Sequence, residues 1–378
     1  MTADSTYCIG ILGSGQLGRM IAIAAAQLGL DTHVYAPDAA ASPAAAVAGR
    51  WTEAAYDDMA ALDAFAASVN VVTSEFENVP AEVMTRLAMH CPASPGEAAL
   101  RVAQHRVAEK TQASDLGIDT PRFWPVTSAA DLETGLRELA GAGILKTCRL
   151  GYDGKGQHRV NGSEAADSLY ADFGSDDAIL EEHIDFAFEI SCLVARSQAG
   201  DICHFPVSRN QHENGILART TAPADIAPEL AQAAQTASAA LADRLDLFGL
   251  LAVEFFVTPD GGLLFNEMAP RPHNSFHWTI EGCASSQFTQ LARVLAGLGF
   301  GDTRAYGSWQ MDNLLGQHMP QVPELLTAAG VHLHLYGKPE ARTDRKMGHA
   351  TRQFRADSGA ACPPPDVSGQ KVLPDRDH

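Results

Sequence analysis

"LAVEFFVTPDGGLLFNEMAPRPHNS", residues 251–275, reads as two apolar strands joined at Thr-Pro-Asp-Gly, with Glu254 on the first and Asn266-Glu267 on the second. Cross-strand partners in an antiparallel hairpin share a face. Glu254 and Glu267, thirteen apart, therefore share one only if the loop holds an even number of residues. A four-residue loop, Thr258 to Gly261, sets the two glutamates diagonally on one face, whereas a five-residue loop separates them. On one face of an apolar sheet two carboxylates repel unless a cation lies between them, and Mg²⁺ with nucleotide phosphates suits such a pair. On separate faces, one glutamate simply points to solvent. Arg271, His273 and Asn274 follow as donors on a Pro-stiffened loop beside the metal position.

Upstream, the loop Gly151-Tyr152-Asp153-Gly154-Lys155-Gly156-Gln157 sets backbone N–H groups and a lysine where phosphate can approach, although it is not a Walker A loop. A structural turn is the alternative. Lys146 closes the strand "ILKTC", where a buried ammonium needs an anionic partner. Downstream, Lys338, Arg342, Arg345, Lys346 and His349 form the densest cationic cluster, which reads as an anion site. That cluster stands out because the whole chain is acidic, with net charge -19 and pI near 5.0. The same balance argues against nucleic acid as a partner. His33, His90 and His158 read as surface or satisfied core positions, and no Cys/His zinc spacing, H-E-x-x-H or G-x-S-x-G appears.

The N-terminal "IGILGSGQLGRMIAIAAAQLGLDTHVYAPD", residues 9–38, carries G-x-G-x-x-G at Gly13, Gly15 and Gly18, with Asp38 about twenty residues further on. Such a turn serves a dinucleotide site or a bare βαβ scaffold equally well. Strands near 7–12, 32–36 and 69–73 alternate with helices near 16–29, 57–67 and 80–89, which predicts a small parallel α/β unit. One long polar helix is expected from about 97 to Gly117, then a strand, a helix at 128–141, a helix at 163–172 and the strand "AILEEHI". Long apolar strands dominate 186–270, around a helix at 228–246, and a helix at about 285–299 closes this part. One further strand, "VHLHLYG", and the basic turn "EARTDRKMGHATRQ" follow, before a tail that reads as mostly disordered.

At 378 residues the chain holds two or three cores. The division expected is 1–97, 98–300, 301–355 and a tail at 356–378. Seven scattered cysteines without a C-x-x-C pair suit free thiols in a reducing compartment. Neither a secretory signal nor a membrane span is evident, so a cytoplasmic protein without membrane partners is expected.

In this order, "GSGQLGRM", "SEFENVP" (74–80), "LKTCRLGYDGKGQ", "LEEHIDFAFEIS", "VEFFVTPDGGLLFNEMAPRPHNSFHWT" and "DRKMGH" resemble the 5-(carboxyamino)imidazole ribonucleotide synthases, ATP-grasp ligases of purine biosynthesis, from about residue 8 to about 353. The resemblance implies mixed α/β and α+β architecture: a Rossmann-like N-terminal domain that holds no dinucleotide, a two-lobed ATP-grasp domain and a small C-terminal domain. It implies a carboxylate-amine ligase that joins ATP, bicarbonate and 5-aminoimidazole ribonucleotide through carboxyphosphate, with Mg²⁺, without NAD or biotin, as a homodimer.

Carried over by position, ATP would meet Arg106, Lys146, the loop from Gly151 to Gln157, Glu181, Glu182, His183, Ile184, Glu189, His212, Asn266 and Glu267. Glu254 and Glu267 would be the metal ligands. Glu75, Tyr152, Asp153, Arg271, His273 and Asn274 would surround the ribonucleotide, and Lys338, Arg345 and Lys346 would grip its phosphate. Asp153, Lys155, Arg271 and His273 are the implied catalytic groups. Cys148 stands where members often have an arginine, with Arg149 as the substitute charge, and Leu150 stands where they have Gly or Phe. Family members usually continue past this last motif with a strand and a closing helix, where this chain has its low-complexity tail. Another ATP-grasp ligase, an NAD-dependent dehydrogenase built on "GSGQLG", and a non-catalytic binding module are the competing readings.

Overall fold

The apolar strand Cys8–Leu12 is the centre of a parallel five-stranded sheet. Its spatial order is Arg50–Glu53, Asp31–Ala36, Cys8–Leu12, Val71–Ser74 and Ala93–Ser94. Helices Gln16–Gln27, Met59–Ala67 and Ala81–Ala88 lie between successive strands, as the alternating pattern predicts. Arg50–Glu53 and Ala93–Ser94 carry little sequence signal, the first being a largely exposed edge and the second only two residues long. The chain winds outward from Cys8–Leu12 in both directions, so a crevice opens between the ends of Cys8–Leu12 and Val71–Ser74. The computed structural model describes residues 7–151, 156–162 and 165–354. Tyr152, Asp153, Gly154, Lys155 and the tail expected at 356–378 lie outside the described residues.

The single helix expected from about 97 is two, Glu97–Ala103 and Arg106–Asp115. Gln104 at the break donates from Nε2 to the carbonyls of Glu77 (2.7 Å) and Val79 (2.6 Å), tying the joint to the turn that follows Val71–Ser74. A four-stranded sheet follows, in the order Phe123–Val126, Ala178–Glu181, Ala142–Thr147 and Gln157–Asn161. Helices Ala129–Glu138 and Ala166–Phe173 contribute Leu132, Leu136 and Leu169 to its apolar core.

The remaining strands form one nine-stranded sheet. Its path runs from the edge Leu263–Ala269 through Gly249–Val257, Phe188–Arg196, Ser208–Glu213 and Ile216–Ala222 into Ser308–Leu315, Lys346–Phe354 and Val331–Leu335, and the ninth strand, Ile202–His204, pairs with Phe188–Arg196 off this path. The C-terminal segment thus extends the sheet of the large lobe, through the pairing of Thr220 with Met311. Ser308–Leu315 and Lys346–Phe354 correct the expectation of one strand and a basic turn. Their buried faces include Asp312, His349 and Thr351, polar residues that hide the apolar pattern. Asp312 is matched there by Arg219 at 2.6 Å and Arg352 at 3.0 Å. One core joins the two larger sheets, with Ile9, Ile11 and Ile21 in the same cluster as Leu193, Trp278 and Phe288. The glycine turn and the hairpin are thereby held in fixed relation. Among the described residues no helix is long and apolar enough to cross a membrane.

Candidate active site

The hairpin closes between Val257 and Leu263, which leaves a five-residue loop, 258–262. By parity alone that loop would send Glu254 and Glu267 to opposite faces. The register instead steps from Phe255 opposite Phe265 to Glu254 opposite Glu267, so Asn266 is an extra residue in a β-bulge. The bulge places the two carboxylates directly across from one another. Glu254, 6% exposed, accepts from Ser191 Oγ (3.3 Å) and lies 3.7 Å from His273 Nε2. Ser191 accepts from Asn210 Nδ2 (2.6 Å), and Asn210 Oδ1 from Thr220 Oγ1 (3.1 Å), a buried chain that orients Glu254 across three strands. Burial first, and the Glu267 charge second, push the Glu254 carboxyl up to about 7. Glu267 meets Arg106 at 3.3 Å.

Lys146 finds its anionic partner in Glu181, at 2.8 Å. The two strands are paired so that these residues are diagonal neighbours on one face. Lys110, buried completely, approaches the same carboxylate at 3.5 Å. Burial opposes ionisation of Glu181, but Lys110 and Lys146 overcome it and hold its carboxyl down at about 2. Glu182 faces the other way and pairs with Arg122 at 2.9 Å. His183 is exposed and meets Arg159. Across the cleft, Glu189 Oε2 lies 2.6 Å from His212 Nδ1. Burial works against a charged ring there, yet the Glu189 hydrogen bond and the nearby carboxylates raise His212 to about 9. Phe186 stacks on Phe256 at 4.7 Å beside this pair.

At the crevice of the parallel sheet, Glu75 accepts from the backbone N–H of Gly15 and, at 2.6 Å, from that of Gly18. A Cβ on Gly13, whose φ is +100°, would stand 2.4 Å from Glu75 Cγ. The amides that in a dinucleotide fold face a pyrophosphate here hold the chain's own carboxylate. Glu77 pairs with Arg271. The adjacent His273 accepts or donates at Nδ1 with Ser275 Oγ (2.8 Å), and burial with the Arg271 charge lowers it to about 3, so the ring is neutral. Both amide atoms of Asn274 are buried without a protein partner among the described residues.

A cleft of about 730 Å³ collects most of these groups. Glu75, Arg106, Lys146, Gly151, Gln157, Glu189, His212, Glu254, Asn266, Glu267, Arg271, His273, Asn274 and Lys346 line it. Glu181 sits behind Lys146. Glu182, His183, Ile184, Gly156, Lys338 and Arg345 are not in the lining. Lys338 donates to the Lys346 carbonyl (2.9 Å) and Arg345 to that of Glu340 (3.0 Å), so these two support the turn below Lys346. Arg149 turns to Asp177, 3.6 Å away, and is not in the cleft lining, whereas Cys148 lines the cleft as a buried thiol. Leu150 takes a φ of 60°, the left-handed region that favours glycine.

Three register shifts in the large sheet fall at His212, Glu254 and Leu315, the last opposite Lys346. Each re-aims a cleft residue, and none is visible in the sequence pattern. Sequence reasoning also misses Glu77, in the turn after Val71–Ser74, and Glu109 and Lys110, on the helix Arg106–Asp115, because a charged residue on a turn or a polar helix reads as solvated unless its burial is known.

A cleft shared by the four-stranded and nine-stranded sheets, lined by Lys146, Arg106 and Arg271 and with the paired carboxylates Glu254 and Glu267, is the geometry of an ATP-grasp ligase. Residues 111–288 match the ATP-grasp domain, 6–104 the ribonucleotide synthetase preATP-grasp domain, and 310–358 the phosphoribosylaminoimidazole carboxylase C-terminal domain. The chain belongs to the N5-carboxyaminoimidazole ribonucleotide synthase family. It is 46% identical over 346 residues to the synthase of Brucella melitensis, covering 91% of this chain and 95% of that protein. The synthetase structure from Thermus thermophilus is 41% identical with TM-score 0.86, covering 92% of this chain and 93% of that one. The Aspergillus clavatus enzyme in complex with ADP and 5-aminoimidazole ribonucleotide is 26% identical with TM-score 0.85, covering 92% and 94%.

Proposed function

We propose that the chain uses ATP and bicarbonate to carboxylate the amine of 5-aminoimidazole ribonucleotide, giving N5-carboxyaminoimidazole ribonucleotide, ADP and phosphate. The observation that carries this reading is the facing pair Glu254 and Glu267 beside Lys146 and Arg106, in a family defined by that product. Bicarbonate oxygen attacks the γ-phosphorus and ADP leaves. The resulting carboxyphosphate, or CO₂ released from it, then accepts the amine at carbon; phosphate departs and the amine gives up a proton. Little covalent work falls to side chains, so positioning and charge neutralisation carry the rate.

The Glu254 and Glu267 carboxylates and the Asn266 side-chain carbonyl offer hard oxygen ligands, which suit a divalent cation such as Mg²⁺. When bound, it supplies charge neutralisation at the transferring phosphoryl group. Lys146, already oriented by Glu181, and Arg106, oriented by Glu267 and the Gly151 carbonyl (3.1 Å), take the phosphates. Glu189 accepts from the ribose hydroxyls while His212 fixes its carboxylate. Arg271, held by Glu77, neutralises the carboxyphosphate, and the neutral His273 and unpartnered Asn274 amide hydrogen-bond the ribonucleotide. Lys346 grips its phosphate, and the catalytic roles that the resemblance implies for Asp153 and Lys155 fall on residues outside the described ones. Free cysteines among the described residues suit a cytoplasmic enzyme, and the family resemblance implies a homodimer.

The test is phosphate release from Mg-ATP and bicarbonate, with and without 5-aminoimidazole ribonucleotide. Strong stimulation with loss of the free aromatic amine is expected. Release indifferent to the ribonucleotide, or a preference for formate and glycinamide ribonucleotide, would move the chain to another acceptor.

A further inference from the structure

The bulge at Asn266 sets Glu267 opposite Glu254, yet nothing within the hairpin requires it. Leu263–Ala269 is an edge of the nine-stranded sheet, so its outward backbone groups have no strand partner. The helix Arg106–Asp115 and its exit meet them instead. Phe265 N–H donates to the Asp119 carbonyl at 2.8 Å. The Asn266 carbonyl accepts from Lys110 Nζ at 3.1 Å, and Met268 N–H donates to Glu109 Oε1 at 3.1 Å. The two side-chain bonds thus fall on either side of Glu267: one on the bulged residue, the other on the residue just after. Glu109 and Lys110 are only 4% and 1% exposed, so water does not replace either bond at low cost. In the regular register Asn266 would oppose Glu254, and Glu267 would face away.

We propose that Glu109 and Lys110 are positioning residues for the metal-binding carboxylates, clamping the edge strand in its bulged register so that Glu267 stays on the Glu254 face. The clamp acts through backbone groups, which is why it takes side chains from a different element. Lys110 couples it to the nucleotide lobe as well, through Glu181. This inference rests on Glu254 and Glu267 being metal ligands.

The experiment titrates Mn²⁺ into the full-length chain with a non-hydrolysable ATP analogue, reading free Mn²⁺ by electron paramagnetic resonance. Glu109→Leu and Lys110→Met are each expected to weaken Mn²⁺ by about tenfold or more, the usual cost of losing an outer-shell partner. Glu109→Gln keeps an acceptor oxygen for the Met268 amide and is expected to stay within about threefold of the parent. Where Glu109→Leu does not fold, Lys110→Met carries the comparison. Loss of Mn²⁺ in Glu267→Gln together with parent-like binding in Glu109→Leu and Lys110→Met would overturn the clamp and leave the metal reading standing. Parent-like binding in Glu267→Gln would overturn the metal reading itself. Equal weakening in Glu109→Gln and Glu109→Leu would also overturn the clamp, since it would show that the acceptor oxygen is not what matters.

Discussion

The glycine turn and the hairpin both bury carboxylates at the cleft, and they answer the same electrostatic problem in opposite ways. Glu75 is raised by burial, but two backbone amides of its own domain, those of Gly18 and Gly15, accompany it. Glu254 is raised by burial too, and what the fold sets opposite it is a second carboxylate. The first region is complete without a ligand. The second keeps two facing carboxylates that Arg106 and His212 offset from the side, an arrangement that favours further positive charge. The dinucleotide-like motif thus holds the chain's own carboxylate, while the hairpin is the region set to receive a cation.

Mutation separates the two regions by the quantity each one moves. Glu267→Gln is expected to lower ribonucleotide-stimulated phosphate release by more than about a hundredfold, beyond the usual cost of an outer-shell change. The metal-free protein should unfold in urea within about 1 kcal/mol of the parent, because relief of the carboxylate pair offsets the lost Arg106 contact. Parent-like turnover would remove the hairpin from the site. Glu75→Ala should do the reverse to stability, costing about 4 kcal/mol by leaving two amides unpaired and a void among Gly13, Gly15 and Gly18. An unchanged urea midpoint would show that the turn does not depend on its internal anion.

The sequence discloses more of the first region's fold than of its role, and more of the second's role than of its geometry. Alternating apolar and helical runs reveal the parallel unit, since both of its layers follow simple periodicities. Gly13, Gly15 and Gly18 leave open what they surround, because Glu75 lies some sixty residues away in sequence. Glu254 and Glu267 are legible as a pair, but the loop-parity argument alone gives the wrong face, and only the bulge at Asn266 restores the right one. Bulges depend on what lies beside a strand, here a helix from before residue 120, and no local pattern encodes that. The family resemblance supplies the substrate; it does not disclose that Glu182 and Arg149 pair elsewhere.

The His212–Glu189 pair sharpens the contrast further, because Glu189, Glu254 and Glu267 together hold His212 charged. Its folded value of about 9 lies above the ordinary 6.5. Its contribution to metal-free stability is therefore fully present below pH 6.5 and is lost as pH rises through about 9, with an upper bound of about 3.4 kcal/mol. In Glu189→Gln the strongest opponent of burial is gone, and the imidazole midpoint followed by nuclear magnetic resonance should fall by more than about one unit. Mg²⁺ with an ATP analogue should lower it in the parent as well, since a cation between Glu254 and Glu267 cancels the charge that those carboxylates present to the ring. A midpoint that drops in the variant but ignores the ion would mean that the cation binds away from the hairpin, and the two regions would lose the distinction drawn between them.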